Sequence, residues 1–122
     1  MGMDAYLYAV HNRKECETED FYSKCITVED HDAWDEYDFE KPAEVWYARK
    51  FWALHQEVFG NSYECGDYLE IDKGTLEMML DFAIHNTDYF GGFDTVESLC
   101  WILHYYDTLK EHGMILVYEA DW

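Results

Sequence analysis

Apolar positions recur along this chain with periods that mark out four strands and three helices. Ala5-Tyr6-Leu7-Tyr8-Ala9-Val10 is rich in strand formers, and the polar run His11-Asn12-Arg13-Lys14 closes it, so a first strand is expected here. From Phe21 to Val28, the residues Tyr22, Lys24, Ile26 and Val28 alternate with Phe21, Ser23, Cys25 and Thr27. That alternation predicts a second strand, although neither face is cleanly apolar. Pro42 suits the first turn of a helix, and nothing between Ala43 and Phe59 breaks one. Val45, Ala48, Trp52, His55 and Phe59 form a stripe, which Tyr47, Phe51, Leu54 and Val58 widen past half the circumference, so this helix is expected at the centre of the core.

Gly60-Asn61-Ser62 ends that helix, and Tyr68-Leu69-Glu70-Ile71 predicts a short strand before Asp72 caps the next helix. Leu76, Met79, Leu80, Ala83 and Ile84 give this second helix its apolar face. Asn86 and Gly91-Gly92 form a loop, after which Asp94 and Glu97 have the spacing of a capping box with Asp in place of Ser or Thr. A third helix then runs to about His112, with Val96, Leu99, Leu103 and Tyr106 inward and Gly113 as its stop. Met114-Ile115-Leu116-Val117-Tyr118 is continuously apolar, which predicts a central closing strand beside the first. The fold class that follows is α+β: a small, mostly antiparallel sheet packed on one face by about three helices, forming a single domain over residues 1–122.

Composition changes this picture in one respect. The chain carries 27 Asp and Glu against 8 Lys and Arg, a formal net charge of −19. Such an excess favours disorder, but 49% of the residues are apolar and 19% aromatic, enough to build a core with the charge outside. A sequence pI near 4.3 disfavours direct binding to nucleic acid or an anionic membrane and favours a basic partner. No stretch reaches membrane-spanning length and the start lacks a secretory profile, so the expected location is the cytosol. Met1-Gly2 resembles a myristoylation start, but Tyr6 stands where Ser or Thr is needed. Cys16, Cys25, Cys65 and Cys100 are scattered and expected to stay reduced.

The charge is concentrated. Glu15 to Glu40 holds 11 acidic residues and one base, Lys24. Within it, Glu29, Asp30, Asp32, Asp35, Glu36, Asp38 and Glu40 place seven carboxylates in twelve residues, interleaved with Trp34, Tyr37 and Phe39. Such an array can stand in for phosphates in the basic groove of a nucleic-acid-binding protein, with Trp34 and Tyr37 as apolar anchors. The bland alternative is a solvated acidic loop that aids solubility. Arg49 and Lys50, the adjacent bases of the expected first helix, are read as docking this segment and limiting its repulsion.

Other chemistry is weakly signalled. Asp30-x-Asp32 begins like a calcium loop, but Asp35 occupies the glycine position and Lys41 the final glutamate. His11, Cys16, Cys25 and His31 lack the paired spacing of a zinc site, and no cofactor is expected. His55, on the apolar stripe, reads as a hydrogen-bonded core or boundary residue rather than a ligand. Phosphate loops, serine elbows and His-Glu-x-x-His motifs are absent, and Cys100 with His104, though at i,i+4, reads as buried packing. The chain is therefore not read as an enzyme.

Met1-Gly2-Met3-Asp4-Ala5-Tyr6-Leu7, Trp46-Tyr47-Ala48-Arg49-Lys50 leading to Leu54-His55, Cys65-Gly66-Asp67-Tyr68-Leu69 and the loop Tyr89-Phe90-Gly91-Gly92-Phe93 resemble a family of small bacteriophage and prophage proteins of unknown function. Those proteins open with Met-Gly-Leu-Asp-x-Tyr-Leu and carry a Trp-Arg-Lys helix ending near Ile-His, followed by a Cys-x-x-Tyr strand. Met3 replaces the family's Leu here, and two residues separate Trp46 from Arg49-Lys50. The resemblance brings no catalytic residues. It implies a phage-type origin, and with the charge it leads to an expected inhibitor of a host defence protein, of the anti-CRISPR or anti-restriction kind. The alternative is a small phage structural or accessory protein, self-associating or not, whose acidity serves solubility.

Overall fold

The computed structural model describes residues 2–89 and 92–122. Five strands form one sheet: β1 (Asp4–Val10), β2 (Ile26–Thr27), β3 (Ala43–Arg49), β4 (Tyr68–Ile71) and β5 (Ile115–Asp121), in the order β2-β3-β1-β5-β4. All pairings are antiparallel except the two-residue match of β2 to β3. The helices are α1 (Phe21–Lys24), α2 (His31–Glu36), α3 (Trp52–Val58), α4 (Lys73–His85), α5 (Gly92–His104) and α6 (Tyr106–Glu111). The fold is thus α+β. The first strand and the closing strand are neighbours as the apolar pattern anticipated, and β5 is interior, paired with β1 on one side and β4 on the other.

The principal core lies between the sheet and α2 through α6. Ala5, Leu7 and Ala9 of β1 face it with Leu116, Tyr118 and Ala120 of β5, and α4 and α5 supply Leu76, Met79, Ala83, Leu99 and Ile102. Alternate residues point to the opposite face. There Tyr8, Val10 and Val117 are buried under Cys16 of the 3-10 turn Arg13–Glu17 and Phe21 of α1, so the second face is partly covered as well.

Residues 43–59 depart most from expectation. They form β3, a turn and α3, not one helix. The register of β3 against β1 runs Ala5↔Ala48, Tyr6↔Tyr47, Leu7↔Trp46 and then Tyr8↔Glu44, so Val45 is an extra, bulged residue. The bulge turns both Val45 and Trp46 inward, and the buried set becomes Ala43, Val45, Trp46 and Ala48. That spacing contains the i,i+3 interval of a helix, and so the strand imitates a helical stripe. Lys50 follows with φ 61, the left-handed region that costs an L-residue about 1–2 kcal/mol, and its N–H reaches the Met3 carbonyl at 2.6 Å. This turn reverses the chain into α3.

Four smaller differences follow. Phe21–Val28 is split into a single turn of helix, which buries Phe21 and carries a Lys24–Asp20 pair at 2.9 Å, and the short β2. Glycine is needed at position 92, where a Cβ would lie 2.5 Å from the Asn86 carbonyl. α5 therefore starts at Gly92, and Asp94 stands in its first turn rather than as a cap; Gly91 lies outside the described residues. The last helix is interrupted at Tyr105, which separates α5 from α6. Cys100 is exposed rather than packed, because Leu99 and Ile102 take the inward face of α5.

The fully buried Trp46 donates from Nε1 to Thr95 Oγ1 at 2.9 Å, tying β3 to α5. Thr95→Val keeps the shape but leaves that donor without its acceptor. It is expected to cost about 1–3 kcal/mol, read as a lower urea midpoint at unchanged slope.

Candidate functional site

The acidic segment is built around α2. Asp30 is its N-cap, accepting from the Ala33 N–H at 2.9 Å, and Asp32 stands in the first turn, where the helix dipole favours a carboxylate. The inward side of the helix is aromatic. Trp34 is 1% exposed and stacks on Tyr105 with centroids 4.8 Å apart and an interplanar angle of 6°. Tyr37, also buried, meets Trp34 edge-on and donates its hydroxyl to the Lys41 carbonyl at 2.5 Å. Phe39 packs on Tyr37 and stacks on His112, while His31 stacks on Trp101 at 4.9 Å. These rings fasten the acidic segment to α5 and α6.

This corrects one expectation directly. Trp34 and Tyr37 are not anchors offered to a partner; they belong to the core, and their interleaving with carboxylates is the amphipathic pattern of a helix laid on the fold. The Trp34 Nε1 is itself a buried donor without a partner among the described residues. Of the seven carboxylates, Asp30, Asp32, Asp35, Glu36, Asp38 and Glu40 are exposed. Asp35 pairs with His31 at 3.2 Å and accepts from the Tyr105 hydroxyl at 3.2 Å. Asp38 accepts from the Glu40 N–H at 3.2 Å, and the Glu40 carbonyl meets His11 Nε2 at 3.0 Å.

Glu29 is different. It is half-buried beside Glu44 of β3, and the Glu44 carboxyl is pushed up to about 7, first by burial and then by the charge and hydrogen bonding of Glu29. The backbone holds the two segments together: Val28 N–H donates to the Glu44 carbonyl at 2.8 Å, and Thr27 lies opposite Glu44 in the parallel pairing. Nor do Arg49 and Lys50 dock the acidic segment. Among the described residues no ion pair joins them to it, and Arg49 lies opposite Asp4 at the far end of β3, about 20 Å of strand from Ala43.

A second carboxylate group lies on the other face of the sheet and left no trace in the sequence reading. Glu119 is 6% exposed and accepts from the hydroxyls of Tyr8 at 3.0 Å and Tyr22 at 3.3 Å, opposite Tyr68 in register. Burial raises its carboxyl, and the tyrosine hydroxyls act against that rise. The only available signal was the strand period, which places Glu119 on the same side as Val117. His55 is a buried core residue, its Nδ1 2.8 Å from the Tyr118 hydroxyl, and burial lowers its affinity for a proton. Among the described residues no three His, Cys, Asp or Glu side chains converge as metal ligands, and no helix is long and apolar enough to cross a membrane.

Two outcomes are expected. Trp34→Ala should lower stability by about 3–5 kcal/mol in denaturant titration, the cost of emptying a core position. For Glu44, the unfolded carboxyl ionises near 4.5 while the folded one holds its proton to about 7. Its contribution to stability is therefore full below pH 4.5 and is lost as pH rises toward 7. Glu44→Gln should remove that slope and stabilise the protein at pH 8 by on the order of 1 kcal/mol, after allowance for solvent screening of a half-buried group. Unfolding curves at pH 5 and pH 8 would check the sign.

Comparison of the chain with protein-family models, with curated proteins and with solved structures gave no match.

Proposed function

We propose that this protein binds a basic protein through the exposed carboxylates of Asp30, Asp32, Asp35, Glu36, Asp38 and Glu40, occupying a groove that otherwise holds nucleic acid. A host defence protein, such as a CRISPR effector or restriction enzyme, is the partner that fits the chain's resemblance to small phage proteins. The observation that carries the reading is the placement of charge on α2. Asp35 and Glu36 sit in the last turn, which has no basic residue, so the negative end of the helix dipole faces its own carboxylates. A carboxylate there costs about 0.3–1 kcal/mol. His31 and the Tyr105 hydroxyl compensate Asp35, but Glu36 has no such compensation in the described structure, and its use by a partner is the reason we propose for it.

The geometry supports the same reading. Asp32, Asp35 and Glu36 stand at i, i+3 and i+4, neighbours on one helical face about 5–6 Å apart at Cβ, on a segment held by packed aromatic rings. Phosphates supply one charge per about 1.7 Å of duplex axis, and a fixed carboxylate row releases counterions from a basic groove as they do. With −19 overall, encounter with such a groove is also accelerated.

The test is competition. A nucleic-acid-binding defence enzyme is titrated with this protein, and its binding to DNA or RNA is followed at low and high salt. The variant Asp32→Asn, Glu36→Gln, Asp38→Asn, Glu40→Gln should inhibit at least about tenfold less well, with a shallower salt dependence. Glu36→Gln alone should raise the melting temperature slightly. Undiminished inhibition by the fourfold variant, or salt-independent binding, would instead support an accessory protein that uses its acidity for solubility.

A further inference from the structure

A cavity of about 410 Å3 opens between the 3-10 turn Arg13–Glu17 and the approach to β4. Its wall includes Arg13, Glu17, Phe59, Tyr63, Asp67 and Tyr68. The volume is near the small end of the range for small-molecule sites, about 300–1,000 Å3. None of these residues belongs to the acidic segment 29–40, so the site stands apart from the function proposed above.

The charges in the wall are unpaired. Arg13 and Glu17 are four residues apart, yet among the described residues ion pairs join only Lys24 to Asp20, His31 to Asp35 and His85 to Asp81. The Arg13 guanidinium reaches no carboxylate, in a chain that has 27 of them, and touches only the Tyr68 carbonyl at 3.5 Å, the limit of a hydrogen bond. Glu17 and Asp67, both exposed, line the same space. One wall therefore presents a free guanidinium donor fork and two free carboxylates, groups of opposite sign that do not satisfy each other.

The apolar part of the wall is fixed in place. Phe59, 9% exposed, lies stacked on Tyr118 with centroids 3.8 Å apart. Tyr63 accepts from the Ala120 N–H at 2.7 Å and donates to the Asp67 carbonyl, so its ring is held at both partners. Tyr68 contributes its backbone carbonyl beside Arg13, while its ring lies with Glu119 on the other face of the sheet. Aromatic walls of this kind favour a flat apolar body over a purely polar one.

We propose that this cavity binds a small aromatic zwitterion, of the class of a free aromatic α-amino acid, with its carboxylate on Arg13, its ammonium on Glu17 and Asp67, and its ring against Phe59 and Tyr63. A ligand of one sign would leave one set of wall charges unanswered. Guanidinium holds a carboxylate through two parallel bonds, which fixes the orientation of the rest of the molecule.

Calorimetric titration of the full chain with L-phenylalanine, phenylpropionate and phenethylamine separates the alternatives. L-phenylalanine is expected to bind at one site, with each singly charged analogue weaker by about tenfold or more. Arg13→Ala, an exposed position, should weaken L-phenylalanine by about tenfold while leaving phenethylamine unchanged and the melting temperature unmoved. Glu17→Gln should show the reverse preference, weakening L-phenylalanine and leaving phenylpropionate unchanged. The proposal fails if L-phenylalanine shows no saturable binding up to about 10 mM, if either analogue binds as tightly, or if Arg13→Ala has no effect.

Discussion

Electrostatic self-repulsion sets the terms on which this chain folds. With −19 on 122 residues, every compaction step brings like charges together, and the few ion pairs present, between exposed side chains, return little. The opposing force is aromatic and aliphatic burial. Charge is kept outside accordingly: Asp4, Glu15, Glu29 and Glu44 are half-buried, Glu119 is buried, and the remaining carboxylates are exposed. Both carboxyls whose burial matters, Glu44 and Glu119, have their affinity for a proton raised by loss of solvent, so burial works against adding their charge to the load.

The same constraint explains the architecture of the acidic segment. A run of carboxylates would by itself stay solvated and disordered, and α2 is too short to be stable alone. Trp34, Tyr37 and Phe39 hold it by packing on Tyr105 and His112, while the carboxylates are left on the open side. Order and charge are thus supplied by different residues of one short stretch. That division fits the proposed use of the charge, since a partner would meet carboxylates already fixed in position and less conformational entropy would be lost on binding.

Much of the fold was legible in the sequence where period and punctuation agreed. β1, β4, the Asp72 cap of α4 and the pairing of β5 with β1 all follow from alternation, capping chemistry or an apolar run. The failure at 43–59 has two causes: the bulge at Val45 inserts one residue into a period of two so that the intervals match a helix, and Lys50 turns the chain in the left-handed region with no glycine or proline to mark the break. Composition could not separate Trp34 from an exposed anchor, because an amphipathic helix and an aromatic-studded surface share one pattern. The Glu29–Glu44 and Glu119–tyrosine groups arise from residues far apart in the chain, and only the tertiary fold brings them together.

Arg49 and Lys50 acquire a different role from their position. β2 covers only Ala43 and Glu44, so among the described residues no strand pairs with the outer edge of β3 beyond that point. An open edge on a chain this rich in aromatic residues invites a second copy to add its own strand, the first step of ordered aggregation. The bulge at Val45 bends that edge, and two cationic side chains stand at its end, one of them in a left-handed turn that stops the strand. The bases that were expected to balance the acidic segment therefore act as gatekeepers of the sheet, keeping its backbone from serving as a template.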